Sequence, residues 1–173
     1  MKFGRLLRTT AADLPEMESL FVSYKQLKKQ LKRLPYKDQL TEQDAVQTLT
    51  EEENNFVIAL SNTVHEVNQR FLDKEENSII RVERLESDLA AATTNEQLNE
   101  LHKEFVDFHG EVLLLLHWSI LAYTATVKIL KKHHKRTGLL VRAPEIGDLL
   151  SQPFCSTEVI MVSKQSKQPN VSL

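Results

Sequence analysis

Two nine-residue stretches share one pattern of basic residues, KQLKKQLKR from Lys25 to Arg33 and KILKKHHKR from Lys128 to Arg136. Each reads K-x-L-K-K-x-x-K-R, and these 18 positions hold ten of the chain's 22 Lys and Arg residues, so composition alone does not account for them. Lysine-rich faces can hold clustered negative charge, because each ammonium acts as a compact point charge toward phosphate. A solvated face is the other reading, since cations near a helix C-terminus gain about 0.3–1 kcal/mol each from the macrodipole. That suffices for one block. Two blocks with matched spacing favour a multivalent anion site.

On a helical wheel with Lys128 at zero, Lys131, Lys132 and Lys135 fall at about −60°, +40° and −20°, a single face. The apolar positions Tyr123, Val127 and Leu130, with His134, centre at about −130°, which places Lys131 nearest the buried seam. In the first block Lys28 takes the corresponding inner place. Tyr24 falls between core and basic face, where its ring can pack while its hydroxyl reaches the lysines. Lys2, Arg5 and Arg8 can join from the N-terminal segment. The blocks lack the Arg and Asn or Gln expected for reading base edges, and Tyr24 is the one nearby aromatic, little for stacking single strands. A compact polyphosphate fits better than a polymer, and an anionic membrane surface is a third possibility.

Other chemistry finds little support. The chain has no Gly-rich phosphate loop, no G-x-S-x-G and a single cysteine, Cys155, so neither an intrachain disulfide nor a paired-cysteine metal site can form. None of the six His has a Glu three residues before it, which removes the di-iron bundle signature. His133 and His134 are adjacent and face apart on a helix. His117 and Trp118 read as core or flanking residues. No enzyme is expected.

Helices must position these groups. Four Gly and five Pro in 173 residues are too few for a strand-rich fold. Apolar residues recur by threes and fours from Leu49 through Phe56, Leu60, Val64, Val67, Phe71, Ile79, Val82, Leu85 and Leu89. They recur again from Leu98 through Leu101, Phe105, Phe108, Val112, Leu115, Ser119, Tyr123, Val127 and Leu130. The spacing predicts two long antiparallel helices, about 49–92 and 95–137, with Thr94 and Gln97 as a capping box and Gly138 as C-cap. Gly110 lies inside the second, as a tolerated imperfection or as the mark of a closely approaching helix. A helix opening at Pro15 buries Met17, Leu20, Tyr24, Leu27, Leu31 and Leu34. A shorter one covers Lys2 to about Thr10, and residues 35–48 form a polar linker. Two short helices are expected near 144–151 and 155–164, with a disordered tail at 163–173.

Residues 112–127 carry no Asp, Glu, Lys or Arg. A membrane span needs about 20 mostly apolar residues, so a buried core helix is the expectation and no membrane span is assigned. The N-terminus lacks the apolar core of a signal peptide. Net charge is −2, but residues 1–41 carry nine basic and four acidic side chains, residues 42–111 five and 17, and residues 112–173 eight and three. If the basic ends meet, the fold has one positive pole.

The segments MKFGRLL, SYKQLKKQLK, DFHGEVLLLL, YTATVKILKKHHKRTG and QPFCSTEVI, in this order, resemble the SPX domain, most of all the stand-alone SPX proteins of plants. The likeness covers residues 1–162. It implies an all-α fold in which an N-terminal helical hairpin packs on two long antiparallel helices, an SPX-type helical bundle, with short C-terminal helices. It also implies a basic surface that binds inositol polyphosphates and pyrophosphates without any cofactor. By motif position Tyr24, Lys28 and Lys131 would form the phosphate-binding cluster, Lys128, Lys132 and Lys135 the surrounding surface, and Lys2 would stand beside the ligand.

Plant members of this kind imply a phosphate-status sensor that, when loaded, holds a MYB-type phosphate-starvation transcription factor off DNA, in the nucleus and/or cytoplasm. The alternatives are a regulatory module acting in trans on an enzyme or transporter, and a nucleic-acid-binding helical protein. Departures from the family pattern are Met17 for Trp, Ala122 and Ala125 for Asn and Gly, His134 for Asp, a short linker at 35–48 and an early end. They bear on partner choice and remove no proposed phosphate ligand.

Overall fold

The computed structural model describes residues 2–13, 15, 18–36, 51–141 and 149–155. Four α-helices make the framework: α1, Phe3–Asp13; α2, Glu18–Leu31; α3, Glu51–Ala91; and α4, Asn95–Thr137. Two single 3-10 turns follow, Leu149–Ser151 and Pro153–Cys155. Among the described residues there is no strand, so the all-α expectation holds.

Local chemistry sets the helix ends. Thr94 accepts a bond from the Gln97 amide while the Gln97 side chain accepts from the Thr94 amide, closing the expected capping box. Gly138 adopts φ 75°, a left-handed cap that few other residues take without strain, and its N–H returns to the His134 carbonyl. A link of only three residues, Ala92 to Thr94, turns α3 back along α4. Arg84 with Glu104, Arg81 with Glu111 at 2.6 Å and Glu53 with His133 at 2.5 Å pair the two helices along their length in antiparallel register. At 1.5 Å per residue this hairpin is about 60 Å long.

α1 and α2 form the shorter hairpin, antiparallel, with Arg8 over the Phe21 ring and Phe3 against Tyr24. Leu20, Tyr24, Leu27, Leu31 and Leu34 recur by threes and fours and are all buried, as their spacing predicts. They join Phe56, Leu60 and Val64 of α3 and Ala122, Ala125 and Ile129 of α4 in one core. Among the described residues α2, α3 and the Pro153–Cys155 turn pack on α4, while the N-terminal arm of α4 pairs with α3.

That asymmetry corrects the predicted stripes. Ile79 and Leu89 of α3 are 41% and 48% exposed, and Leu98 of α4 is exposed. Among the described residues the outer arm of the hairpin is covered only by its own second helix, and half-buried Glu75 and Ser78, not Ile79, take the inner line between Phe71 and Val82. Among the described residues nothing lies within 4 Å of where a Cβ would stand on Gly110, so none of the described helices approaches it closely. By length and composition α4 could cross a membrane; just under half of its most apolar 18-residue window is buried in the bundle, and Leu113, Leu114 and Ile120 are exposed. Trp118 is in the core, whereas His117 faces out.

The segment Gln152–Cys155 seals the junction of the long helices. Phe154 is completely buried, its carbonyl accepts from the Ser119 hydroxyl, and Asn68 bonds both Gln152 and the Phe154 amide. The short helix expected near 144–151 is described only at its end, as the turn Leu149–Ser151, and the one expected near 155–164 lies, apart from Cys155, outside the described residues. Met17, most of the 35–48 linker, and the tail at 163–173 with its boundary at 162 lie outside the described residues.

Candidate functional site

The first basic block follows directly from the burial of α2. With Tyr24, Leu27 and Leu31 turned inward, the period of the helix leaves Lys25, Lys28, Lys29 and Lys32 on the exposed side. Tyr24 is 4% exposed, and burial pushes its phenol above the usual tyrosine range. Among the described residues no group bonds its hydroxyl. The Lys28 ammonium stands 5.5 Å from the centre of the Tyr24 ring.

Phe3 connects this tyrosine to the second block. Its ring meets Tyr24 edge to face, 5.3 Å between centroids, and the Lys128 ammonium lies 5.1 Å from its centre. A continuous line therefore runs from Lys28 through Tyr24 and Phe3 to Lys128, with a cation over a ring at each end. Contacts of this kind contribute about 0.5–1 kcal/mol at exposed sites. They restrain both ammonium groups without neutralising them. Lys2, the residue before Phe3, is exposed beside this line. Phe3 was not legible as a site residue, because its place depends on two helices far from it in the chain.

In the second block the structure moves the buried seam. Ala122, Ala125, Ile129 and His133 are the inner positions of α4, while Tyr123, Val127 and Leu130 are half-buried and His134 is exposed. The wheel centred on His134 is corrected accordingly: Lys131, Lys132 and Lys135 are all exposed, Lys131 does not border the core, and Lys128 is the half-buried lysine. The reason is that α2 and α3 both press on this end of α4, so the most apolar arc is not the most covered one.

His133 is wholly buried and was missed. Its Nε2–H donates to the Glu53 carboxylate at 2.5 Å, and its ring stacks on Phe56 at 5.1 Å and 9°. Glu53 itself is only 6% exposed, and His133 Nδ1 has no partner. This pair ties the start of α3 to the middle of the second basic block.

Arg136 ties that block to α2. Its Nε donates to the Leu34 carbonyl at 2.5 Å, a terminal nitrogen donates to the Lys32 carbonyl at 2.8 Å, and its guanidinium lies 4.0 Å over the Tyr36 ring. With Tyr24 beside Lys128 through Phe3, and Leu34 beside Arg136, the two helices run parallel over this stretch.

The structure thus joins Tyr24, Lys28 and Lys128 through one aromatic line and sets Lys131, Lys132 and Lys135 on the exposed end of the adjacent helix. Among the described residues no hydrogen bond, ion pair or ring contact links those three side chains to one another or to the rest. Among the described residues none of the six lysines, Lys2 included, is in an ion pair. Six unneutralised cations at one end of the bundle repel one another, and a compact polyanion relieves that repulsion.

Elsewhere the chemistry is sparse. Among the described residues no group of three His, Cys, Asp or Glu could hold a metal ion. A cleft of about 650 Å³ between α3 and α4 is lined by Arg70, Asp73, Lys74, Glu111, Leu114 and Trp118. Its mixed charges give it no preference for an anion.

Comparison with known proteins finds relatives along nearly the whole chain. It is similar to SPX domain-containing protein 1 of Arabidopsis thaliana, 41% identical over 169 residues, and to SPX domain-containing protein 2 of the same plant, 39% over 175. It is also 40% identical over 179 residues to SPX domain-containing protein 1 of Oryza sativa subsp. japonica. Each alignment takes in 92% of this chain and 66%, 61% and 61% of the respective relative, so the chain spans a little under two thirds of their length. No family model matches it.

Proposed function

The chain belongs to the SPX-domain family, and from that premise we propose that it is a non-enzymatic sensor of phosphate status that binds inositol polyphosphates or pyrophosphates. The site is the basic end of the bundle: Tyr24 and Lys28 on α2, Lys128, Lys131, Lys132 and Lys135 on α4, and Lys2 at the start of α1. One observation carries the reading. Lys28 and Lys128, a hundred residues apart, are held at the two ends of a single aromatic line on helices that run parallel and present unpaired lysines.

A ring bearing several phosphates suits this surface better than a polymer does. The positive groups are confined to the length of one nonapeptide block on each of two helices, about 12 Å by helical rise. Loading reduces the repulsion between the two helix ends and so stabilises their parallel arrangement. The stabilised face, in this reading, is what a MYB-type phosphate-starvation transcription factor recognises, in the nucleus and/or cytoplasm.

Isothermal titration of the 173-residue chain with inositol hexakisphosphate tests the site. Binding is expected to weaken as salt is raised. Lys28→Ala and Lys131→Ala should each lower affinity by about tenfold to a hundredfold, the value of a charge-assisted bond of about 1.5–3 kcal/mol. Wild-type affinity in both variants would overturn the site.

A further inference from the structure

We propose that Arg136 is a positioning residue for the anion site, a clamp that sets the register of α2 against α4, and not a phosphate ligand. The inference rests on the anion-binding reading above and goes beyond it, because by pattern Arg136 is simply the last cation of its block. Its geometry separates it from the lysines. Leu34 and Lys32 belong to the turn that ends α2, where carbonyls have lost their helical partners. The planar guanidinium reaches both carbonyls, 2.5 Å and 2.8 Å away, and its face is covered by Tyr36 at 4.0 Å. Two of its five donors and one face are thus engaged by the chain itself. The matching residue of the first block, Arg33, is exposed, and its side chain has no partner among the described residues. The two blocks match in sequence, yet their arginines differ in use.

The consequence for the site is geometric. Phe3 joins Tyr24 to Lys128 at one end of the parallel stretch, and Arg136 joins α4 to the end of α2 at the other. Tyr24 stands seven residues before the end of α2 at Leu31, with the turn to Leu34 beyond it, and Lys128 stands eight residues before Arg136 on α4, about 10 Å and 12 Å of helical rise. With both ends fixed, the height of Lys28 against Lys131 is fixed too. With the Arg136 end released, the last turn of α2 loses the partners of its carbonyls, and the separation of the two lysine faces is no longer set. A ligand must then order the site as it binds, which lowers affinity without removing any phosphate contact.

A lysine at 136 keeps the charge but cannot reproduce the planar fork or the stack, so charge and clamp are separable. The test is titration of the 173-residue chain with inositol hexakisphosphate at several salt concentrations, with thermal melts and helix content by circular dichroism in parallel. Arg136→Gln and Arg136→Lys are each expected to bind about tenfold more weakly, with the slope of log affinity against log salt unchanged from wild type. Lys28→Ala should lower both affinity and slope, since it removes a phosphate contact. Wild-type affinity in Arg136→Lys, or a slope in Arg136→Gln reduced as in Lys28→Ala, would overturn the clamp and make Arg136 a ligand. Should Arg136→Gln lose its helix content, Arg136→Lys decides by the same two readouts. No binding by wild type, or no effect of Lys28→Ala, sinks the anion site itself. That result is distinct from normal Lys28→Ala behaviour with unaffected Arg136 variants, which sinks the clamp alone.

Discussion

Replacing Glu53 by Leu tests the buried contact beneath the second basic block. Glu53 accepts the His133 Nε2–H at 2.5 Å, and the two side chains are 9% and 0% exposed, so water cannot take over when the carboxylate is removed. His133 Nδ1 is already without a partner; Glu53→Leu leaves the whole imidazole unsatisfied. An orphaned buried polar group costs about 1–3 kcal/mol, and the cost rises to about 3–5 kcal/mol where the broken contact is a charged pair. Packing of the leucine side chain offsets about 1 kcal/mol of this. The expected loss is about 2 kcal/mol, which for a domain of this size lowers Tm by about 4–8 °C.

Adding His133→Phe should restore most of that loss, because a phenyl ring can keep the stack on Phe56 and leaves nothing polar behind. Urea denaturation of wild type, both single variants and the double variant gives the coupling directly. A coupling of about 2 kcal/mol is expected. If Glu53→Leu costs less than about 0.5 kcal/mol, or if the two changes simply add, the contact is not the buried one described and the link from α3 to the basic block is lost.

Two further outcomes follow from single residues. Gly110→Ala should stabilise the chain by about 0.4–1 kcal/mol in the same denaturation assay, since an added Cβ meets nothing within 4 Å and the unfolded chain loses freedom; a loss of stability would mean that the helix surface there is covered. Tyr24 has its phenol raised above the ordinary 10.0 by burial, so its contribution is fully present below pH 10 and is lost as pH rises through the folded value. Tyr24→Phe should therefore flatten the fall of stability above pH 10, and in the tyrosinate absorbance titration it should remove a step lying above the usual range; an unchanged profile would refute burial of this phenol.

Much of the framework was legible because it is local. The hydroxyl of Thr94 and the amide of Gln97 are three residues apart, Gly138 supplies its own left-handed backbone, and the apolar line from Leu20 to Leu34 sits on one side of a single helix. Such features depend on helical period and on neighbours within a turn or two, and the expected ends of α4 match the observed Asn95–Thr137. The grouping of lysines into two exposed faces is of the same kind, and so is the likeness to the SPX domain that those blocks carry.

Other features depended on which surfaces come together. Ile79 and Leu89 carry the right spacing yet stand exposed, because among the described residues the outer hairpin has no third helix to cover them. His133 and not His134 is buried, because α2 and α3 converge on the end of α4 at an angle that periodicity does not contain. Glu53 meets His133 across 80 residues and Arg136 meets Leu34 across 102. The sequence by itself determined the ends of α4 and which cations share a face. Only the tertiary structure decided which face is covered and that Phe3 spans the two blocks, since burial depends on the neighbour that long-range packing supplies.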